Sequence, residues 1–182
     1  SVSQNAGYWV ITLEDGALEI SDADPVNYDA DGVVNYDMHY GPNLISYPFQ
    51  TSQYIDDALG DDASSSTFGL VGEGIAALNI DDEWLGSLEA FESGNGYWLF
   101  ALEDFSFTFN GTEAGLARLA SQPAVKAVPE QYMYTQSTKQ AFYFVESATI
   151  KNEILEEDDI IIAYNNNVVV GARYWNGEYT DI

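Results

Sequence analysis

Gly96-Tyr97-Trp98-Leu99-Phe100-Ala101-Leu102-Glu103-Asp104 runs from aromatic to aliphatic residues with no polar break before Glu103. Such a run reads as a short strand covered on both faces. It has an echo at Gly7-Tyr8-Trp9-Val10-Ile11-Thr12-Leu13-Glu14-Asp15, where Gly, Tyr, Trp, Leu, Glu and Asp recur at the same places. Two equivalent strands of two related units are the expectation. Residues 1–20 would then be the closing strand of an incomplete preceding repeat, packed on the complete unit or inserted into a neighbouring molecule.

The surroundings of the second copy predict a β-rich unit over residues 40–121. Gly41-Pro42-Asn43-Leu44-Ile45-Ser46-Tyr47-Pro48-Phe49 is a turn entering a short buried strand that Pro48 ends. Ser52 to Leu59 offers a helix, with Ser52 as cap, Ile55, Ala58 and Leu59 on one face, and Gly60 as stop. Residues 60–67 read as a polar loop. Phe68 to Leu78 reads as one strand with bulges at its glycines. Asp81-Asp82-Glu83 predicts a turn, Trp84 to Leu88 a strand, and Glu92 to Gly96 a tight connection, in meander order. Phe105, Phe107 and Phe109 alternate, so they share one face; that face is expected to be core rather than a sugar-stacking platform.

Thr112 as cap with Leu116 and Leu119 on one side predicts a second short helix. Pro123 and Pro129 bracket a segment poor in large apolar residues, so 122–131 reads as a linker. Residues 132–182 form a hairpin-rich C-terminal unit. In it Tyr132 to Val145 suggests two aromatic strands or one bent strand. Ile160 to Tyr164 and Val168 to Trp175 flank Asn165-Asn166-Asn167, a hairpin turn because Asn tolerates positive φ. The fold class expected is mainly β, as β-sandwich-like units with one or two short helices.

Composition narrows the function. Five basic residues against thirty acidic ones give a net charge of −25, which opposes phosphate backbones and anionic membranes, since both require clustered Lys or Arg. Neither a nucleic-acid partner nor membrane insertion is expected. The chain has no cysteine, so disulfides, thiol catalysis and Cys-ligated zinc are excluded. Ser1 does not open a signal peptide, so the chain is expected to be a mature or excised piece. Acid richness and the absence of cysteine lean toward an extracellular or cell-surface location.

Residues 21–39 form an acidic connector. With Gly32 at a sharp turn, Asn27, Asp29 and Asp31 fall at alternate positions, followed by the Val33 carbonyl, Asn35 and Asp37. A hard divalent cation collects six to eight oxygens, and a chain wrapping it presents every second residue inward. The loop resembles dockerin and thrombospondin type-3 calcium repeats. Asn27 replaces the usual first Asp, and Met38 stands where a closing acid is usual, with Asp37 one step early. Asp22 or Asp24 is expected to complete the shell, and calcium is the cofactor expected.

Asn43 to Pro48, Gly72-Glu73-Gly74-Ile75-Ala76-Ala77, Trp84 to Leu88, Gly96-Tyr97-Trp98, Gln136-Ser137-Thr138 with Gln140 to Phe144, and Val170 to Trp175 resemble repeated modules of large secreted proteins of marine bacteria, often exported by the type IX route. The likeness covers residues 40–182. It implies an accessory β-rich piece of a longer extracellular protein that continues past Ile182.

Catalytic material is sparse. His39 is the single histidine and no Gly-x-Ser-x-Gly elbow occurs. Acidic clusters sit at expected turns, where solvation or cation binding explains them. Paired carboxylates for glycoside cleavage remain a third possibility. The leading expectation is a non-enzymatic structural or adhesive module that meets other copies of itself or neighbouring modules. The alternative is a carbohydrate-binding module presenting Trp84, Trp98 or Trp175 beside Asn and Asp to a polysaccharide.

Overall fold

A computed structural model describes residues 6–8, 10–17, 33–111, 121–136 and 139–182. The protein is mainly β, built from several antiparallel sheets in a sandwich-like arrangement. Its largest sheet has five strands in the order β2 (Gly41–Ser46), β8 (Gly96–Ala101), β4 (Thr67–Val71), β5 (Ala76–Ile80), β6 (Glu83–Gly86). β4, β5 and β6 form a meander, but the expected continuation of that order into Gly96–Ala101 fails, because β8 does not follow β6 in space. It returns across the sheet and enters between β2 and β4, pairing Ile45 with Tyr97 and Leu70 with Leu99. The doubly covered character of Gly96 to Ala101 follows from that central place.

Period-2 alternation sorts the sheet's side chains. Ile45, Leu70, Ala77, Tyr97, Leu99 and Ala101 point inward and are buried. They meet helix α1 (Ile55–Ser65) and the ribbon of β1 (Tyr36–Met38) with β9 (Phe105–Phe107). Phe109 fits edge-on against Tyr36, Tyr47, Phe91 and Phe107, with ring centroids 5.1–5.3 Å apart. The predicted shared face of the three phenylalanines is therefore core. Buried tyrosine hydroxyls keep partners: Tyr47 Oη donates to Gln53 Oε1 at 2.7 Å, and Tyr97 Oη accepts from Glu92 N–H at 2.9 Å.

Four expectations are corrected. Ser52 does not cap the helix, and Gly60 kinks α1 without ending it, so residues 61–65 are helical where a loop was expected. Gly60 has φ 69° and ψ 173°, a geometry that releases carbonyls of the preceding turn. Asn110 collects them: its N–H bonds Ala58 O and its Nδ2 bonds Asp57 O. Phe68 to Leu78 is a hairpin rather than one strand; Gly72 N–H donates to Ile75 O and Gly74 takes φ 70°, while a register shift at Thr67/Gly69 marks the bulge. The first Gly-Tyr-Trp copy is no strand in its described residues, where Val10, Ile11 and Leu13 are exposed. Gly7 N–H of this segment donates to Leu44 O on β2 at 3.1 Å.

Last, among its described residues Tyr132 to Val145 holds a 3-10 turn (Glu130–Tyr132) at its start and β10 (Phe144–Val145) at its end, and no other element. β10 pairs with β15 (Thr180–Asp181). Short β11 (Thr149–Ile150) and β12 (Glu153–Ile154) form a hairpin, as do β13 (Ile160–Asn165) and β14 (Val168–Tyr174). The last of these is the predicted one, with Asn166 at φ 55°. The helix expected around Thr112, Leu116 and Leu119 lies outside the described residues.

Candidate functional site

The chain's two buried charged residues among those described, Arg173 and Asp181, lie together. Arg173 stands in β14 among Gly171, Ala172, Tyr174 and Trp175. Pairing with Ile161 turns its side chain toward the first sheet, where Nη2 donates to Gly74 O at 2.6 Å and lies 3.4 Å from Asp181 Oδ2. Asp181, 1% exposed, accepts from Ser87 N–H at 2.9 Å and Ser87 Oγ at 2.8 Å. The Asp181 carboxylate accepts hydrogen bonds from a main-chain amide and a hydroxyl and faces a guanidinium as an ion pair, so its charge is compensated inside the fold.

Ser87 sits at the end of β6 because Gly86 turns the chain at φ 127°, its α-carbon pressed against Ala76 O where a Cβ would clash. Gln122, entering the proline-bracketed segment, seals the same corner: Oε1 accepts from Glu89 N–H and Ala90 N–H, and Nε2 donates to Ser87 O at 2.5 Å. Ser87, Gln122, Arg173 and Asp181 thus connect the five-stranded sheet, residues 121–129 and the end of the chain.

A cleft of about 350 Å³ opens beside this knot, between Gly86–Glu89, Pro123–Lys126 and Arg173–Asp181. On its wall Lys126 Nζ donates to Asp158 Oδ1 at 2.9 Å and lies 3.8 Å from the centre of the Tyr174 ring. The bond to Asp158 holds the Lys126 amine above its ordinary pKa. Glu89, Glu157 and Glu178 add negative charge, and Tyr174 with Tyr179 add ring surface. Chemically the cleft can accept hydroxyl donors and stack a flat apolar face. A second cavity of about 500 Å³ lies against Trp175 and Glu156–Asp158.

The three tryptophans proposed as an exposed set are not brought together. Trp175 is 6% exposed and lines both cavities. Trp84 pairs with Asn79 and packs on the core from the inner face, whereas Trp98 pairs with Leu44 and Val71 on the outer face. Burial of Trp175 and the inward turn of Trp84 correct the expectation that these side chains stand open to a polysaccharide.

Of the calcium set, Asp22, Asp24, Asn27, Asp29 and Asp31 lie outside the described residues. Val33 and Asp37 are exposed, and Asp37 Oδ1 accepts from Asn35 Nδ2 and Ser106 Oγ, both at 2.7 Å. Asn35 and Asp37 are oxygen donors on one side of β1, the chemistry calcium takes. Among the described residues no three His, Cys, Asp or Glu side chains gather as a metal group. His39 is exposed, its main chain held by Asn43.

Sequence reasoning missed Ser87, Gln122 and Asp181. One signal was available: an arginine inside an apolar strand, in a chain with five basic residues, needs a buried carboxylate. Comparison with protein-family models, curated proteins and solved structures gives no match for this chain.

Proposed function

We propose that this chain is a non-enzymatic, calcium-stabilised structural or adhesive module of an extracellular protein, working through contact with other copies of itself or with neighbouring modules. The supporting observation is the use of its buried charge. Arg173 and Asp181 are tied to Ser87 and Gly74, fastening the final strand to the first sheet. A carboxylate and guanidinium held this way favour one register of the chain end, which suits a module that works by shape. Calcium gathered by Asn27, Asp29, Asp31, Asn35 and Asp37 would relieve repulsion in a chain of charge −25.

Thermal melting of the full chain, read by far-ultraviolet circular dichroism and by tryptophan fluorescence, tests this. The expected result is one transition seen by both probes, higher with calcium and lower with chelator. Coincident melts that ignore chelator would remove calcium from the reading; two well-separated melts would remove the single fastened body.

The cleft favours a second reading, binding of a polysaccharide. Tyr174 and Tyr179 supply ring surface beside Glu89, Glu157 and Glu178. Titrating neutral and anionic polysaccharides against tryptophan fluorescence separates the two readings. Saturable quenching lost in Tyr174→Ala would favour sugar binding.

A further inference from the structure

We propose that the outer edge of β13, Ile160–Asn165, is a self-association edge that pairs antiparallel with β13 of a second copy about a two-fold axis near Ile162. The backbone geometry starts the argument. Trp175 N–H donates to Asp159 O at 2.8 Å, so Asp159, Ile161 and Ala163 exchange bonds with β14, and the N–H and C=O groups of Ile160 and Ile162 turn outward. Among the described residues, no hydrogen bond reaches those outward groups.

Edges of this kind are ordinarily blunted by lysine, proline, a bulge or a cover. β13 has none of these. Ile160 to Ala172 contains no charged residue or proline, the irregularity at Ala163/Tyr164 places its extra residue on β14, and every residue of β13 is at least partly exposed. Tyr164 is 56% exposed. Three successive isoleucines with open backbone on one side form a template for another strand.

Charge selects the partner and its direction. Two chains of charge −25 repel wherever acidic surfaces meet. In a parallel pair the acidic turn Glu156–Asp159 of each copy would stand side by side. In an antiparallel pair centred on Ile162, Glu157–Asp159 of one copy faces Asn165–Asn167 of the other, so carboxylates meet amide donors. The two acidic turns are then about 20 Å apart, the span of six strand residues, well past a Debye length of about 8 Å. The closed two-fold pairing consumes both edges and stops at a dimer.

This inference deepens the self-contact reading above by naming the edge. Sedimentation velocity on the full chain across concentration and salt provides the test, with hydrogen exchange at low and high concentration as its residue-level readout. The expected result is a monomer–dimer equilibrium strengthened by salt, with Ile160 and Ile162 amides slowing as concentration rises while Ile161 and Ala163 stay slow throughout. Ile162→Pro removes an outward N–H and no ladder bond, and should weaken the dimer at least tenfold; Ile162→Lys, which keeps the backbone intact, should do the same. A chain monomeric at high concentration and high salt overturns the proposal. So does a dimer whose Ile160 and Ile162 amides stay fast, or one abolished by removing residues 1–17; either result leaves the module reading standing with a different contact.

Discussion

The two halves of this protein are held by different physics. Apart from Trp175, every buried apolar residue described lies between Val34 and Phe109, where one helix and three sheets enclose an aromatic cluster. Beyond residue 130 the strands form two hairpins and the β10–β15 pair, and β11 and β12 are exposed. Their connection to the first sheet is polar: Asp181 to Ser87, and Arg173 to Gly74. Apolar burial tolerates small displacements, because it is non-directional. A buried carboxylate does not, so a chain end fastened this way is either fully in register or released.

Phe91→Ala should give the largest effect and mark the first half as the source of stability. Phe91 has no exposure and contacts Tyr47, Tyr97 and Phe109 through ring centroids 4.8–5.5 Å away. Its loss should cost about 3–5 kcal/mol, read as a lower denaturant midpoint for both halves together. If the C-terminal hairpins kept their signal while the core melted, the dependence of the second half on the first would be refuted.

Asp181→Ala comes next and acts from the other side of the comparison. Arg173 would keep its charge in a site where its side chain is 10% exposed. Leaving one member of a buried pair costs about 3–5 kcal/mol; the 3.4 Å separation and the surviving bond to Gly74 O put this case near the lower end. Hydrogen exchange should accelerate in β10, β14 and β15 while the five-stranded sheet stays protected. Uniform acceleration would show that the fastening is part of the core after all. Ser87→Ala removes one hydroxyl donor and keeps the amide bond, so about 1 kcal/mol is expected, in the same strands.

The same contrast explains what the sequence made legible. Local chemistry was readable: Asn166 at positive φ in the β13–β14 turn, Asp81 and Asp82 at positive φ between β5 and β6, and the alternating phenylalanines before Asn110. Long-range pairing was not. Insertion of β8 between β2 and β4 depends on strand partners 54 residues apart in Leu44 and Trp98, and no local pattern encodes that distance. Nearly identical text at Gly7 and Gly96 gives an exposed segment and a central strand, because a strand needs neighbours as well as propensity. Gly60 was read as a stop, since the capping carried by Asn110 lies fifty residues on. The Ser87–Asp181 bond closes over 94 residues, and neither residue announces it.

Asp56→Asn should have the smallest effect and probes the first half where it is most electrostatic. Asp56 lies in the first turn of α1 with Asp57 beside it and Asp61 one turn on. Enclosure by the fold first, then repulsion from Asp57 and Asp61, holds its carboxyl above the ordinary value of 3.8. A raised value means the folded chain binds this proton more tightly than the unfolded one. Ionisation therefore works against folding, and this residue's stabilising contribution is present in acid and disappears as pH rises through the raised value. Helix-dipole attraction in the first turn opposes the repulsion, so the net change at pH 7 should be a slight gain, within about 0.5 kcal/mol. The sign is checked by melting wild type and variant from pH 3 to pH 7: the variant's advantage should grow with pH and shrink in high salt. An advantage that instead grew toward acid would mean the dipole outweighs the two neighbouring carboxylates, and the first half would owe nothing to relief of its own charge.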